Sequence, residues 1–265
     1  MTIMRRGLAL CLLAAAAAGC QSAGAKEGAK AGAKEGPKEG PKAAPKGEPR
    51  PSPGPSERFE HDMMVRFHMH QSFDLVRAIE RLVVRGNLED ARAFARAIAE
   101  APDEPGLGPW AQHAALVRER AGELAHAATI EDACRREARL AEACAGCHLD
   151  AGVAPEFRAP RAPPDQPTLD ARMARHRWAT SRMWEGLVGG EADAWREGLD
   201  VLAVTPLPAA QAARADLARR LQQLAGDARQ RSRTDTLAER ARAYGELLAT
   251  CAGCHTSRPA EHAGP

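Results

Sequence analysis

The sequence predicts an all-α protein built from two tandem four-helix bundle units, each of which ends in the same cysteine–histidine motif. Three observations support this fold class: apolar residues spaced by three and four, an internal repeat, and a shortage of aromatic residues. The 265-residue chain is 44% hydrophobic but only 4% aromatic, which favours helices over a β-sandwich, because β-sheets are rich in β-branched and aromatic residues. This length is enough for one or two domains.

Residues 1–20 are predicted to be a lipoprotein signal peptide. Two arginines give a basic start, and residues 8–18 form an apolar stretch that is too short for a stable membrane anchor. The small residues before Cys20 resemble the end of a bacterial lipoprotein signal, which implies a lipid on Cys20 after cleavage; an ordinary secretory signal is the alternative. Because Gln21 rather than Asp follows, the resemblance implies an outer-membrane anchor facing the periplasm.

Residues 21–57 are predicted to be a disordered tether. They consist of low-complexity units of Ala, Lys, Glu, Gly and Pro, and almost none of these residues can enter a hydrophobic core. The first 20 residues contain two of the 37 basic residues and none of the 35 acidic ones, so the mature chain carries 35 of each sign. Nucleic-acid binding is not expected, because it requires an excess of basic residues.

Residues 58–150 are predicted to form the first helical bundle. Between residues 65 and 83, apolar side chains recur at steps of three and four, as on one face of a helix. Gly86-Asn87 interrupts this pattern, and a Pro-rich segment at 102–106 ends the next helix. The four predicted helices span residues 59–85, 88–101, 109–127 and 130–148.

The same arrangement returns after a Pro-rich linker at residues 151–167, so residues 168–258 are predicted to form a second bundle. With an offset of 104 residues, Met69 falls on Met173 and Gly86 falls on Gly190. With an offset of 107 residues, the cysteine–histidine motifs of the two units superpose. Such a repeat indicates two copies of one structural unit. The predicted helices of the second unit span residues 168–188, 191–204, 209–229 and 234–255.

The motif itself reads CAGCH at residues 144–148 and again at 251–255. C-x-x-C-H is the attachment signature of c-type haem. On a helix, two cysteines three residues apart lie about 4.5 Å apart along the axis and about 60° around it, which suits thioether bonds to one haem edge, and the histidine can bind the iron. We therefore expect two covalent haems c, held by Cys144, Cys147, Cys251 and Cys254, with His148 and His255 as proximal iron ligands.

Two other interpretations of the cysteines are weaker. A structural zinc site needs four ligands. Each motif offers only three, so a zinc site would have to combine the two distant motifs. A thioredoxin-like C-x-x-C opens a helix after a strand, and no strand pattern precedes either motif.

A four-helix unit with C-x-x-C-H near the end of its last helix resembles cytochrome c prime, the class II c-type cytochromes. The resemblance covers residues 59–148 and 168–255 as two copies. Class I cytochromes have the motif near the start of the domain and a methionine ligand far downstream. Only ten residues follow His255 and none is methionine, so class I is excluded for the second unit, and the repeat extends that exclusion to the first.

The resemblance also implies that the first helix of each unit crosses the open face of its haem. Met69 and Met173 occupy matching positions in these helices, and a thioether suits haem iron, so both are possible sixth ligands. Core packing is the alternative role for a methionine. His176 and His70 are competing ligands, with His68 nearby, and a five-coordinate iron is the third alternative.

The expected function is single-electron transfer on the periplasmic side of the cell envelope, between redox partner proteins, by a protein that is not an enzyme. Two alternatives remain: a gas-binding or sensing haem protein with an open sixth position, and a haem peroxidase. A peroxidase needs acid–base groups above an open iron, a role for which His176 or His70 is available.

Overall fold

A computed structural model of the chain describes residues 55–102, 107–157, 160–207 and 214–256. Within these residues the regular structure is entirely helical, which confirms the all-α class. The predicted signal peptide with Cys20, and the tether up to residue 54, lie outside the described residues. The helices are α1 (Pro55–Val84), α2 (Leu88–Ala99), α3 (Ala111–Ala125), α4 (Ile130–Ala151), α5 (Leu169–Val188), α6 (Ala192–Ala203), α7 (Ala215–Arg231) and α8 (Leu237–Thr256), with a 3-10 turn at Gly108–Trp110 before α3.

Each predicted helix overlaps an observed one because the sequence contains local start and stop signals. Thr129 caps α4 by accepting a hydrogen bond from the backbone N–H of Asp132, and Thr168 caps α5 in the same way. Gly152, with φ of 64°, ends α4 in the left-handed conformation. α1 begins at Pro55, four residues before the predicted start of this helix at residue 59, and proline suits the first turn of a helix.

The helices pack as two rings of neighbours. α1 contacts α2, α2 contacts α3, α3 contacts α4, and α4 returns to α1; α5 to α8 repeat this order. We call α1–α4 the first half and α5–α8 the second half. The two halves are not separate, because the most extensive helix pair in the described structure is α4 with α8. All eight of the described helices belong to one compact unit.

α4 and α8 pack closely against each other where the two halves meet. Arg135 Nε donates to Glu246 Oε1 at 3.0 Å near the start of α4, and Gly245 lies against the same turn, where a Cβ would be 3.0 Å from the Arg135 Cα. No helix within the described ranges combines the length and apolar character needed to cross a bilayer.

Candidate functional site

The first motif lies in the last turns of α4, beside a large cavity. Cys144, Cys147 and His148 all line this cavity, whose volume is about 1120 Å³. This volume exceeds the usual range of small-molecule sites, about 300–1,000 Å³. The two cysteines are free thiols rather than a disulfide. The cavity wall includes Val65, Leu75, Val76, Ile98, Val117 and Val188. A large, mostly apolar group therefore fits beside two available thiols and an imidazole.

His148 is held in the orientation that a metal ligand requires. Its ring is buried, and Nδ1 lies 2.9 Å from the carbonyl oxygen of Val188 at the end of α5. A carbonyl can only accept a hydrogen bond, so Nδ1 is the donor, and in the neutral imidazole this leaves the lone pair on Nε2. Metal-binding histidines commonly donate their second ring N–H to a carbonyl in this way. The donor set at this motif therefore fits the iron of a covalently attached haem.

Burial dominates the electrostatics of the two thiols at the first motif. Burial, followed by the neighbouring Cys147 and Glu137, raises the pKa of Cys144 to about 12. Burial also raises the pKa of Cys147. A haem thioether at these positions would be neutral, which suits the buried setting. Within the described ranges, no group of three or more His, Cys, Asp or Glu side chains is arranged to hold a metal ion by itself.

The second motif occupies the equivalent place at the end of α8. Burial, followed by Cys254 and Glu80, raises the pKa of Cys251 to about 12, as at the first motif. The residue after each motif contacts a glycine that follows the first helix of the other half: Leu149 lies beside Gly190, and Thr256 lies beside Gly86. Both glycines have positive φ, 71° and 78°, and a Cβ on either would collide with this neighbour. The sequence repeat therefore corresponds to a repeated set of contacts.

Of the two predicted sixth ligands, Met69 lines the cavity of the first motif, and Met173 lies on α5. Met69, 38% exposed, lines the same cavity as the first motif, as do His68 and His70. Met173 is half-buried on α5. Met69 therefore lies at the cavity of the first motif. Binding of Met69 or Met173 to iron remains a prediction.

His176 is the competitor whose contacts are clearest. Its Nε2 lies 2.6 Å from the Thr205 carbonyl oxygen, and burial lowers the pKa of its imidazole. Because that carbonyl is an acceptor, the Nε2 of His176 is a protonated donor and has no lone pair for iron. In this arrangement only its Nδ1 could bind a metal.

Sequence analysis missed the contribution of the second half to the first site. Trp184 and Val188, both on α5, line the cavity beside the first motif, although the repeat predicts two self-contained units. It also missed two buried carboxyls, Glu80 and Glu137. A signal for Glu80 was present, because it lies within the apolar spacing of α1, one residue after Ile79 and three before Val83.

Comparison with protein-family models, curated proteins and solved structures finds no match to this chain. The functional assignment therefore depends on the motifs and on the geometry around them.

Proposed function

We propose that this protein is a dihaem c-type cytochrome that carries single electrons on the periplasmic side of the cell envelope. The observation that carries the proposal is the first motif: two free thiols and an oriented imidazole line one cavity of about 1120 Å³. The repeat of the motif at the end of α8 supports a second haem. The finer architecture, two class II-like bundles with one haem each, belongs to this proposal.

Each residue of the first motif has a separate role. Cys144 and Cys147 would hold the haem edge, and His148 would offer Nε2 to the iron while the Val188 carbonyl fixes its ring. When bound, the haem supplies a one-electron couple between Fe(III) and Fe(II). The apolar wall of the cavity limits the access of water, and Met69 offers a thioether from the same wall.

The cellular location follows from the N-terminal sequence and is part of the proposal. A lipid on Cys20 would anchor the chain in the outer membrane, and residues 21–54 would tether the haem-binding helices to it. Export also suits the cofactor, because bacteria attach haem c outside the cytoplasm. Redox partner proteins on the same side of the membrane would then donate and accept the electrons.

Gas binding at an open sixth position is the second candidate. Met69 lines the cavity, and where it acts only as a packing residue, the sixth position of the iron is open. Carbon monoxide binding by the reduced protein distinguishes the two functions.

Mass spectrometry of the mature chain tests the proposal directly. We expect two haem additions in the parent, and one in Cys147→Ser and in Cys254→Ser. Cys134→Ser is the matched control, because Cys134 is a buried thiol of α4 outside both motifs, and it should keep both haems. A parent chain that contains zinc and no haem would refute the proposal.

A further inference from the structure

A buried polar cluster lies where the two halves of the molecule meet. Glu80 on α1 is 5% exposed and Glu137 on α4 is fully buried. Each carboxyl accepts a hydrogen bond from an aromatic side chain of the second half. Tyr244 Oη donates to Glu80 Oε1 at 3.2 Å, and Trp184 Nε1 donates to Glu137 Oε1 at 2.9 Å. The first half therefore supplies two acids, and the second half supplies a neutral donor to each.

The positive charge near these acids is too small to neutralise two ionised carboxylates. Arg77 acts electrostatically on both carboxyls, and the more exposed Arg81 acts on Glu80. The Arg77 guanidinium lies 4.7 Å from the centre of the Trp184 ring, and its Nη2 donates to Ser181 at 3.0 Å rather than to either acid. Within the described residues, Arg77 Nη1 and Glu137 Oε2 are buried without a hydrogen-bond partner. A buried group of one cation and two acids is neutral when it holds one acidic proton, and burial favours the neutral state.

The other groups that face the cluster stay neutral at ordinary pH. Burial, with Glu80 and Glu137 adding to it, raises the pKa of Tyr244 well above its usual value, and burial likewise raises the pKa of the Cys134 thiol. α5 faces the cluster with Thr180, Ser181 and Trp184, none of which titrates near neutrality. Burial and the charge of Glu80 raise the pKa of Glu137 to about 8, and burial also raises that of Glu80. The acid pair is therefore the part of the cluster that changes charge.

The cluster lies close to both motifs. Glu137 precedes Cys144 by seven residues on α4, and Tyr244 precedes Cys251 by seven residues on α8. Glu137 and Tyr244 are therefore each about 10 Å along their helix from the first cysteine of a motif. Burial and the neighbouring cysteine of each motif are the larger causes of the raised pKa values of Cys144 and Cys251. Glu137 raises the pKa of Cys144 further, and Glu80 raises that of Cys251. Each carboxyl thus interacts electrostatically with the attachment site of one haem.

We propose that Glu80 and Glu137 form a proton-binding site whose occupancy follows the charge of the haems, so that the protein carries a proton together with an electron. This inference rests on the proposed function. One electron enters the haem from an external one-electron donor, and the local positive charge falls by one. One proton from water then forms an O–H bond on a carboxylate oxygen of the pair, and oxidation returns both. Charges interact strongly in a buried, weakly polar setting, which makes the two events favour each other.

The pH dependence of the haem midpoint potentials tests this site in the full-length, haem-loaded protein. In the parent we expect the potentials to fall as pH rises through neutrality. One proton per electron gives a tenfold change in the redox equilibrium per pH unit, about 59 mV, and two haems that share one proton give a smaller slope. Glu80→Gln and Glu137→Gln, which keep an acceptor for Tyr244 and Trp184, should flatten this slope. Glu131→Gln, an exposed carboxyl on α4, is the matched control and should keep it.

Infrared difference spectra of the reduced and oxidised protein give a second, independent measurement. A carbonyl band of a protonated carboxyl should appear on reduction in the parent and in Glu131→Gln, and should be absent in the two glutamine variants of the pair. Tyr244→Phe removes a hydrogen bond that lowers the Glu80 pKa, so it should move the pH window upward. A purely structural cluster would show no such movement.

The possible failures are distinguishable. If the purified chain contains no haem by mass, the proposed function fails, and this inference fails with it. If two haems are present but the potentials do not change with pH, or change equally in all variants, only the proton site is refuted.

Discussion

The two halves of the molecule carry the same motif at matching places but differ in how closely their first two helices approach. In the second half, α5 and α6 touch through Gly186 and Gly198. A Cβ on Gly198 would lie 2.6 Å from the Ala179 carbonyl oxygen and 2.8 Å from the Met183 nitrogen. The 104-residue offset gives Leu82 and Phe94 at these positions in the first half. The repeat therefore preserves the order of the helices but not their spacing.

The difference shows which features are tied to the two motifs and which are free to vary. The glycines after the first helices, Gly86 and Gly190, occur in both halves because each receives the residue that follows the opposite motif. The α1–α2 and α5–α6 contacts do not involve the motifs. Leu82 and Phe94 of the first half therefore stand where the second half has Gly186 and Gly198. The four predictions below test this comparison, beginning with the largest effect.

Met69→Ala and Met173→Ala should each convert one haem of two to a high-spin form that binds carbon monoxide in the reduced state, and the double variant should convert both. Alanine cannot bind iron, so each change removes one expected sixth ligand. Optical and EPR spectra with added carbon monoxide measure the conversion. If the parent already binds the gas at both haems, the methionines are only packing residues. If the double variant stays low-spin, a histidine is the ligand, and His70 and His176 are the first to test.

Gly198→Ala should destabilise the protein by about 1–3 kcal/mol, because a new methyl group would overpack against the α5 backbone. Urea unfolding measures the free energy. Gly122→Ala on α3 is the control, since its Cβ would meet Ala99 at an ordinary 3.8 Å, and replacing a mid-helix glycine should add about 0.5–1 kcal/mol. Equal losses in both variants would show that the α5–α6 contact is not special.

Glu137→Gln should make the stability of the protein less dependent on pH. The pKa of Glu137 is raised by burial to about 8, so the folded state holds its proton more tightly than the unfolded state does. The stability is full below the ordinary carboxyl pKa of about 4.3, and it falls as pH rises through the folded value, by at most about 1.4 kcal/mol per pH unit. Urea unfolding at several pH values should show this fall in the parent and in Glu131→Gln, and a smaller one in Glu137→Gln.

Arg135→Ala should have the smallest effect, about 0.2–1 kcal/mol, although its ion pair with Glu246 joins the two halves. The Arg135 side chain is 48% exposed, and exposed ion pairs contribute little to stability. Urea unfolding at low and high salt measures the effect, which should shrink with salt. A loss of several kcal/mol would mean that this pair, rather than the close packing at Gly245, holds α4 against α8.

The sequence predicts individual helices well because their signals are local. Gly86-Asn87 and Thr168 mark helix ends through backbone conformation and capping, and these effects need no distant partner. It also predicts that Cys144, Cys147 and His148 act together, because three residues within five positions of a helix are neighbours in any fold.

What the sequence could not predict depends on how helices pack across the molecule. Trp184 reaches the cavity of the first motif only because α5 lies beside α1 and α4, and helical periodicity identifies a buried face without identifying the helix that covers it. The partners of Glu80 and Glu137 were hidden for the same reason, since they lie 164 and 47 residues away.

The contact pattern between the halves is that of an isologous dimer, in which the same surface on each subunit meets its copy. Arg77 and Ser181, which are related by the 104-residue offset, face each other. In a homodimer of the first half, this position would place two guanidiniums together, and each Glu80 would face a Glu137. Joining the halves in one chain allows each side of the symmetry axis to mutate alone, so the two acids meet Tyr244 and Trp184 instead. Covalent continuity has thus made possible a polar centre that exact symmetry would forbid.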